Sequence, residues 1–251
     1  MFKSEKTEEG VTERLFDLTV AGELVPAVLW TPRGAKGTRP LICVGHGGSQ
    51  HKRNANIKAR AQAWARRNGW ATLAIDGPGH GDRVTKEQRE AAAKAAAEGN
   101  RAPRDPTDRG PQHAAEWRAA VDAVRALPEI GEGPMGYWGV SMGTRYGVPF
   151  VASEPRMTCA IFGLFPLMKG PHAEAAASIK IPLQFIFPWH DELMKREDGI
   201  ALFNQFGSAE KTMHINPGKH VGIPAFEGAD WEAFYARHLG VAADAKVKEN
   251  A

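Results

Sequence analysis

The sequence predicts an α/β fold, with a mostly parallel central sheet covered by helices on both faces. Strand-like and helix-like stretches alternate from residue 41 to residue 239, which is the signature of an open parallel sheet. Several strand candidates, such as Leu41–Val44, are short and continuously apolar, as expected of strands buried on both faces. The chain has 251 residues, 43% of them apolar and 24% charged, enough to build a large core without disulfide or metal staples. No internal repeat or low-complexity linker divides it, so residues 1–251 read as one domain.

Residues 1–10 are polar and read as a frayed lead. Val11–Val20 and Leu24–Thr31 read as two strands joined at Ala21-Gly22, and the stretch 33–39 as a loop leading to Pro40. Leu41–Val44 is the first buried strand. Ile57, Ala61, Trp64 and Ala65 then follow at helical spacing up to Asn68-Gly69. Trp70–Ile75 is the next strand. Residues 86–98 are alanine-rich with spaced charges, a helix with few large side chains to bury. Trp117, Ala120, Val121, Val124 and Leu127 keep helical spacing. Further strands are expected at Met135–Val140, Met157–Phe165, Ile181–Phe187 and Lys211–Ile215, before a closing amphipathic helix carrying Trp231, Phe234, Tyr235, His238 and Leu239.

Lys and Arg number 32 against 29 Asp and Glu, a formal net charge of +3 with no long run of like charge. Lys52-Arg53 and Arg66-Arg67 read as solvated surface, and nucleic-acid binding has no support. The N-terminus lacks an apolar signal core and no stretch has the length of a membrane span, so a soluble cytoplasmic protein with no membrane partner is expected. Cys43 and Cys159 sit in apolar runs and read as buried, inert thiols. No cofactor is required by any motif. His46, His51, His80 and Asp82 match no zinc spacing, so no metal site is expected.

Ligands of open α/β sheets bind outside the carboxyl ends of the strands, and four motifs stand there. Gly139-Val-Ser141-Met-Gly143 follows a strand and precedes a helix, which places Ser141 on a sharp turn flanked by glycines. A serine hydroxyl is a poor nucleophile without a base, and His220 lies on a glycine-punctuated loop before the last helix. His214 reads as a packed strand residue, and His172 and His238 as surface or helix-face residues. Asp191 closes the Ile181–Phe187 strand and can orient the imidazole, with Glu192 and Asp198 as rivals. Gly45-His46-Gly47-Gly48 can offer bare N–H groups of Gly47 and Gly48 which, with that of Met142, would hold a developing oxyanion. His46 itself reads as structural.

With His46-Gly-Gly, Gly139-Val-Ser141-Met-Gly143, Asp191 and His220 in this order, the chain resembles the α/β-hydrolase superfamily from about residue 11 to 240. It is most similar to its dienelactone-hydrolase-like and acyl-peptidase-like serine esterases, on the turns His46–Lys52 and Asp76–Gly81. True dienelactone hydrolases carry a cysteine nucleophile where this chain has Ser141. The resemblance implies one strand between those carrying Cys43 and Cys159, too wide a gap for a disulfide. It also implies a minimal cap, since only residues 166–180 separate the strands that often flank a lid.

These observations predict a serine hydrolase that cleaves a small-molecule carboxylic ester through an acyl-enzyme. The same triad acting on an amide, thioester, lactone or carbon–carbon bond is an alternative, as is a non-catalytic binding protein. Phe165, Met168, Trp189 and Ile223 are expected to line an apolar pocket, and the insertion 77–111 to wall or partly cover the site. Lys52 and Arg53 could hold a substrate carboxylate, though ordinary surface charge is the favoured reading.

Overall fold

The computed structural model describes residues 2–98 and 109–240. Nine strands form one sheet: β1 (Phe2–Glu8), β2 (Val11–Val20), β3 (Glu23–Pro32), β4 (Leu41–Gly45), β5 (Ala71–Ile75), β6 (Met135–Gly139), β7 (Met157–Gly163), β8 (Leu183–Pro188) and β9 (Lys211–Asn216). Their order across the sheet is β1-β2-β3-β5-β4-β6-β7-β8-β9. The pairs β1–β2, β2–β3 and β3–β5 are antiparallel, and every pair from β5 to β9 is parallel. The predicted mostly parallel sheet is therefore present, with an antiparallel β-meander at one edge.

Among the described residues seven α-helices accompany it: α1 (Ala55–Asn68), α2 (Lys86–Ala97), α3 (Gly110–Arg125), α4 (Met142–Ser153), α5 (Pro171–Ser178), α6 (Arg196–Gln205) and α7 (Glu227–Leu239). Every residue of β4, β5, β6 and β8 is buried, because helices cover both faces. Helices α1 and α7 pack on one face through Ile57, Ala61, Trp64, Trp231 and Phe234. Helices α3 to α6 pack on the other through Trp117, Val148, Phe150, Ala176 and Leu202. Helix α1 buries Ile57, Ala61, Trp64 and Ala65, the four residues whose spacing predicts it. Asn54 caps its start by accepting from Ile57 N at 3.1 Å, and Gly69, at φ +71°, ends it.

The polar lead departs from expectation. Residues 2–8 form an edge strand whose side chains are mostly exposed. Backbone pairing with β2 supplies its order, together with Phe2 edge-on to Phe16 at 5.8 Å and Lys3 against Asp17 at 2.6 Å. A charged edge needs no apolar alternation and deters pairing with other chains, so hydropathy did not reveal it. His172 also differs, being buried beside the Phe165 ring at 5.6 Å. Cys43 and Cys159 are free and buried, on β4 and β7 with β6 between them. Burial pushes both thiols well up from their ordinary range. Among the described residues no helix is long and apolar enough to cross a membrane.

The insertion that begins at residue 77 is fastened to α3. Arg83 makes a two-pronged contact with Glu116, at 2.7 and 2.8 Å, and His113 Nδ1 reaches the same carboxylate at 2.7 Å. Burial would raise the Glu116 carboxyl, but its His113 and Arg83 contacts outweigh burial and hold it at about 2.

Candidate active site

The motifs at the carboxyl ends of β4, β6, β8 and β9 converge. Ser141 occupies the turn between β6 and α4 with φ 56° and ψ −120°, a conformation rare for a residue with a side chain. Neighbouring contacts over-determine the turn. Ser141 N donates to Gly163 O at 2.9 Å, and Thr144 Oγ1 lies 2.8 and 2.7 Å from the carbonyl oxygens of Gly139 and Gly163. A Cβ on Gly143 would stand 2.7 Å from Gly45 O, so the closeness of α4 to β4 requires glycine there.

His220 Nε2 lies 3.0 Å from Ser141 Oγ, and His220 Nδ1 lies 2.8 Å from Asp191 Oδ2. The Asp191 side chain is 1% exposed and that of His220 is 8%. Asp191 Oδ1 also accepts from Leu193 N at 2.8 Å and Met194 N at 3.1 Å, which fixes its orientation. The rivals have other duties. Glu192 Oε2 accepts the backbone N–H of His220 at 2.9 Å, holding the loop and not the ring. That contact lowers the Glu192 carboxyl below its usual range. Asp198 belongs to α6, where its carbonyl accepts from Leu167 N.

The turn after β4 separates the candidate oxyanion donors. Gly47 N donates to Gln50 Oε1 at 3.3 Å. Among the described residues the N–H groups of Gly48 and Met142 have no such acceptor. His46 fixes the turn: its Nδ1 meets Gly47 O and its Nε2 accepts from Gly77 N, both at 2.8 Å. Burial lowers the His46 pKa to about 4, against the pull of its bond to Gly47 O, so the ring is neutral at neutral pH. With both nitrogens engaged, His46 is no metal ligand.

Lys52 is not the solvated cation expected from its doublet. Its side chain is 4% exposed, with Nζ 2.6 Å from both Asp76 Oδ2 and Asp82 Oδ2. Arg53 pairs with Glu13 at 2.8 Å. Lys52 is thus committed inside the protein, while Arg53, 40% exposed, is a surface ion pair with Glu13. Asp76 accepts in addition from Lys52 N at 2.8 Å and Asp82 N at 2.9 Å. Gly81, at φ +58°, is required beside it, since a Cβ there would fall 2.1 Å from Asp76 Oδ1.

A cleft of about 690 Å³ opens onto Ser141 and His220. Of the four expected lining residues only Ile223 lines it. Phe165 and Met168 pack into the core on the α3–α6 face. In β7 Cys159 and Ile161 face the cleft side while Ala160 and Phe162 face the other. Leu164, just past the strand at φ 52°, breaks that alternation, so it faces the cleft and Phe165 joins the opposite cluster. Trp189 is 46% exposed beyond the end of β8, with the Arg196 guanidinium 3.8 Å from its ring centre. The walls instead come from α1, β6 and α7, including Arg60, Trp64, Trp138, Val140 and Trp231. The sequence reading put Trp64 and Trp231 on buried helix faces and Trp138 and Val140 in a buried strand, and did not single out Arg60; periodicity does not distinguish a core wall from a cleft wall. No described residue of 77–98 or 109–111 lines the cleft, and residues 99–108 of the expected cover lie outside the described residues.

Among the described residues one group offers metal-ligand atoms close together: His214, Glu227 and Asp230, within 4.8 Å of one another. The Glu227 carboxylate there already meets Asn216 Nδ2 at 2.5 Å and His214 Nδ1 at 3.0 Å.

No family model matches the chain, and none of the curated proteins does. Solved structures do. A cold-adapted esterase from an Arctic intertidal metagenomic library shares 32% identity with a TM-score of 0.78, over 94% of this chain and 98% of that one. An acetyl xylan esterase from Paenibacillus sp. R4 shares 15% identity with a TM-score of 0.71, over 94% and 88% of the two chains. A dienelactone hydrolase from Anabaena variabilis shares 18% identity with a TM-score of 0.66, over 92% of this chain and all of that one. The last two speak to the fold, while the first joins fold to sequence over nearly the whole of both chains. The chain belongs to the α/β-hydrolase superfamily, among its esterases.

Proposed function

We propose that the protein is a serine hydrolase of carboxylic esters, with Ser141 as nucleophile, His220 as general base and acid, and Asp191 as the group that orients His220. The observation that carries this reading is the unbroken path Asp191 Oδ2–His220–Ser141 Oγ, with steps of 2.8 and 3.0 Å, at the floor of an open cleft. The similarity to an esterase at 32% identity supports the ester as substrate class.

The geometry suits the steps in turn. With its Nδ1–H donating a hydrogen bond to Asp191 Oδ2, His220 keeps a lone pair on Nε2 facing the serine hydroxyl. Ser141 Oγ bonds to the ester carbonyl carbon as its proton passes to His220 Nε2, and the carbonyl oxygen becomes an oxyanion. The Gly48 and Met142 N–H groups are the donors for that oxygen, since Gly47 N is engaged with Gln50. The carbon–oxygen bond to the leaving alcohol then breaks, and the alcohol departs with the proton from His220. Water repeats the sequence on the acyl-enzyme, giving its proton to His220 and releasing the acid and Ser141.

Incubation with a fluorophosphonate, followed by intact mass, tests the nucleophile. A single adduct is expected on the wild type and none on Ser141→Ala. Hydrolysis of a simple p-nitrophenyl ester should fall by several orders of magnitude in the same variant. An adduct or full activity that survives Ser141→Ala would overturn the assignment.

A further inference from the structure

One cation in the cleft has no counterpart. Arg60 lies on α1 with its guanidinium carbon 3.8 Å from the ring centre of Trp138, 4.6 Å from Trp231 and 5.9 Å from Trp64. Among the described residues it forms no ion pair and no hydrogen bond, although a guanidinium offers five donors in a fixed fork. The carboxylate among the cleft's described lining residues is Glu232, and Arg67 holds it at 3.0 Å. The buried indole nitrogens of Trp138 and Trp231 also lack acceptors. This corner therefore collects a positive charge and N–H donors without an acceptor, an arrangement that is unfavourable unless something supplies one. Burial lowers the Arg60 pKa to about 10, which leaves it charged at neutral pH.

We propose that Arg60 is an anion subsite of the cleft, and that the substrate class is an ester bearing a carboxylate away from its scissile bond. The inference rests on the ester reading of Ser141. Arg60 and Ser141 line the same cleft of about 690 Å³, so one bound molecule can meet both. Val140, Leu164 and Ile223 line the same cleft and suit the methylene chain of such an ester. The contact of the guanidinium with the indole faces at 3.8 and 4.6 Å holds the fork in place without using its donors, so they remain available to a carboxylate. The role considered for Lys52 and Arg53 passes to Arg60, because Lys52 is buried in its ion pairs and Arg53 is paired at the surface.

Two matched ester pairs test the subsite: ethyl valerate with ethyl hydrogen glutarate, and phenyl acetate with 4-acetoxybenzoate. In Arg60→Gln, kcat/KM for at least one anionic ester is expected to fall about tenfold or more through KM, while its neutral partner stays within about twofold. Arg60→Lys should recover part of the loss. Equal losses on neutral and anionic esters would assign Arg60 to structure and overturn the proposal, as would no loss at all. If Arg60→Gln does not fold, Arg60→Met, which keeps an apolar stem over the indoles, takes its place. If the wild type cleaves none of the four, the ester reading fails, and calorimetry with glutarate then decides the subsite alone. Binding heat lost in the variant would support it, and no binding to the wild type would overturn it.

Discussion

Lys52 Nζ lies 2.6 Å from Asp76 Oδ2, with the two side chains 4% and 0% exposed. The pair joins the turn after β4, which carries Gly47 and Gly48, to the loop after β5. Asp76 also receives the backbone N–H groups of Lys52 and Asp82, so one carboxylate organises both loops. Its place beside the oxyanion turn makes it part of the scaffold on which the candidate donors are held.

Removing one partner of a buried ion pair leaves an uncompensated charge, which is more damaging than never having the pair. Lys52→Met is therefore expected to lose roughly 3–5 kcal/mol of stability, read from urea unfolding at neutral pH. A change under about 1 kcal/mol would mean that Asp76 is satisfied by backbone N–H groups alone.

Asp191 and Glu192 are adjacent carboxylates with different partners, one on the His220 ring and one on its backbone N–H. Asp191→Asn should lower kcat by roughly 10³–10⁴-fold through the wrong histidine tautomer. Glu192→Gln keeps an acceptor for the backbone N–H and should stay within about tenfold of the wild type. Reversal of that order in steady-state kinetics would give the orienting role to Glu192.

His46 provides a pH test of the turn after β4. Burial lowers its folded pKa to about 4, below an unfolded value near 6.5. The unfolded chain therefore binds the proton first as pH falls. Stability is fully present above about 6.5 and declines toward pH 4, by roughly 2–3 kcal/mol across the window. Urea unfolding of wild type and His46→Asn between pH 4 and 8 checks this. The difference in stability between the two should shrink on acidification, and a constant difference would show that His46 does not carry the effect.

Much of the site was legible because its residues are tied to local geometry. Gly139 and Gly143 around Ser141 announce a turn that side chains would block, and Gly143 indeed faces Gly45 O too closely for a Cβ. Buried parallel strands show as apolar runs, and the spacing of Ile57, Ala61, Trp64 and Ala65 shows the buried face of α1. The edge strand β1 was missed because backbone pairing holds it while its side chains stay in water. Lys52 was misplaced because a charged residue in a polar loop looks the same whether solvent or a buried Asp76 receives it.

The sequence by itself determined the fold class, the order of the strands and helices from residue 41 onward, and the candidate nucleophile and base. These depend on periodicity and turn chemistry, which act over a few residues. Only the tertiary structure decided which carboxylate meets His220, that Gly47 N is turned to Gln50, and that Leu164 faces the cleft instead of Phe165. It alone placed Arg60 among Trp64, Trp138 and Trp231 with no carboxylate partner among the described residues. Those outcomes turn on contacts between segments tens of residues apart, where register and side-chain direction, not composition, select the partner.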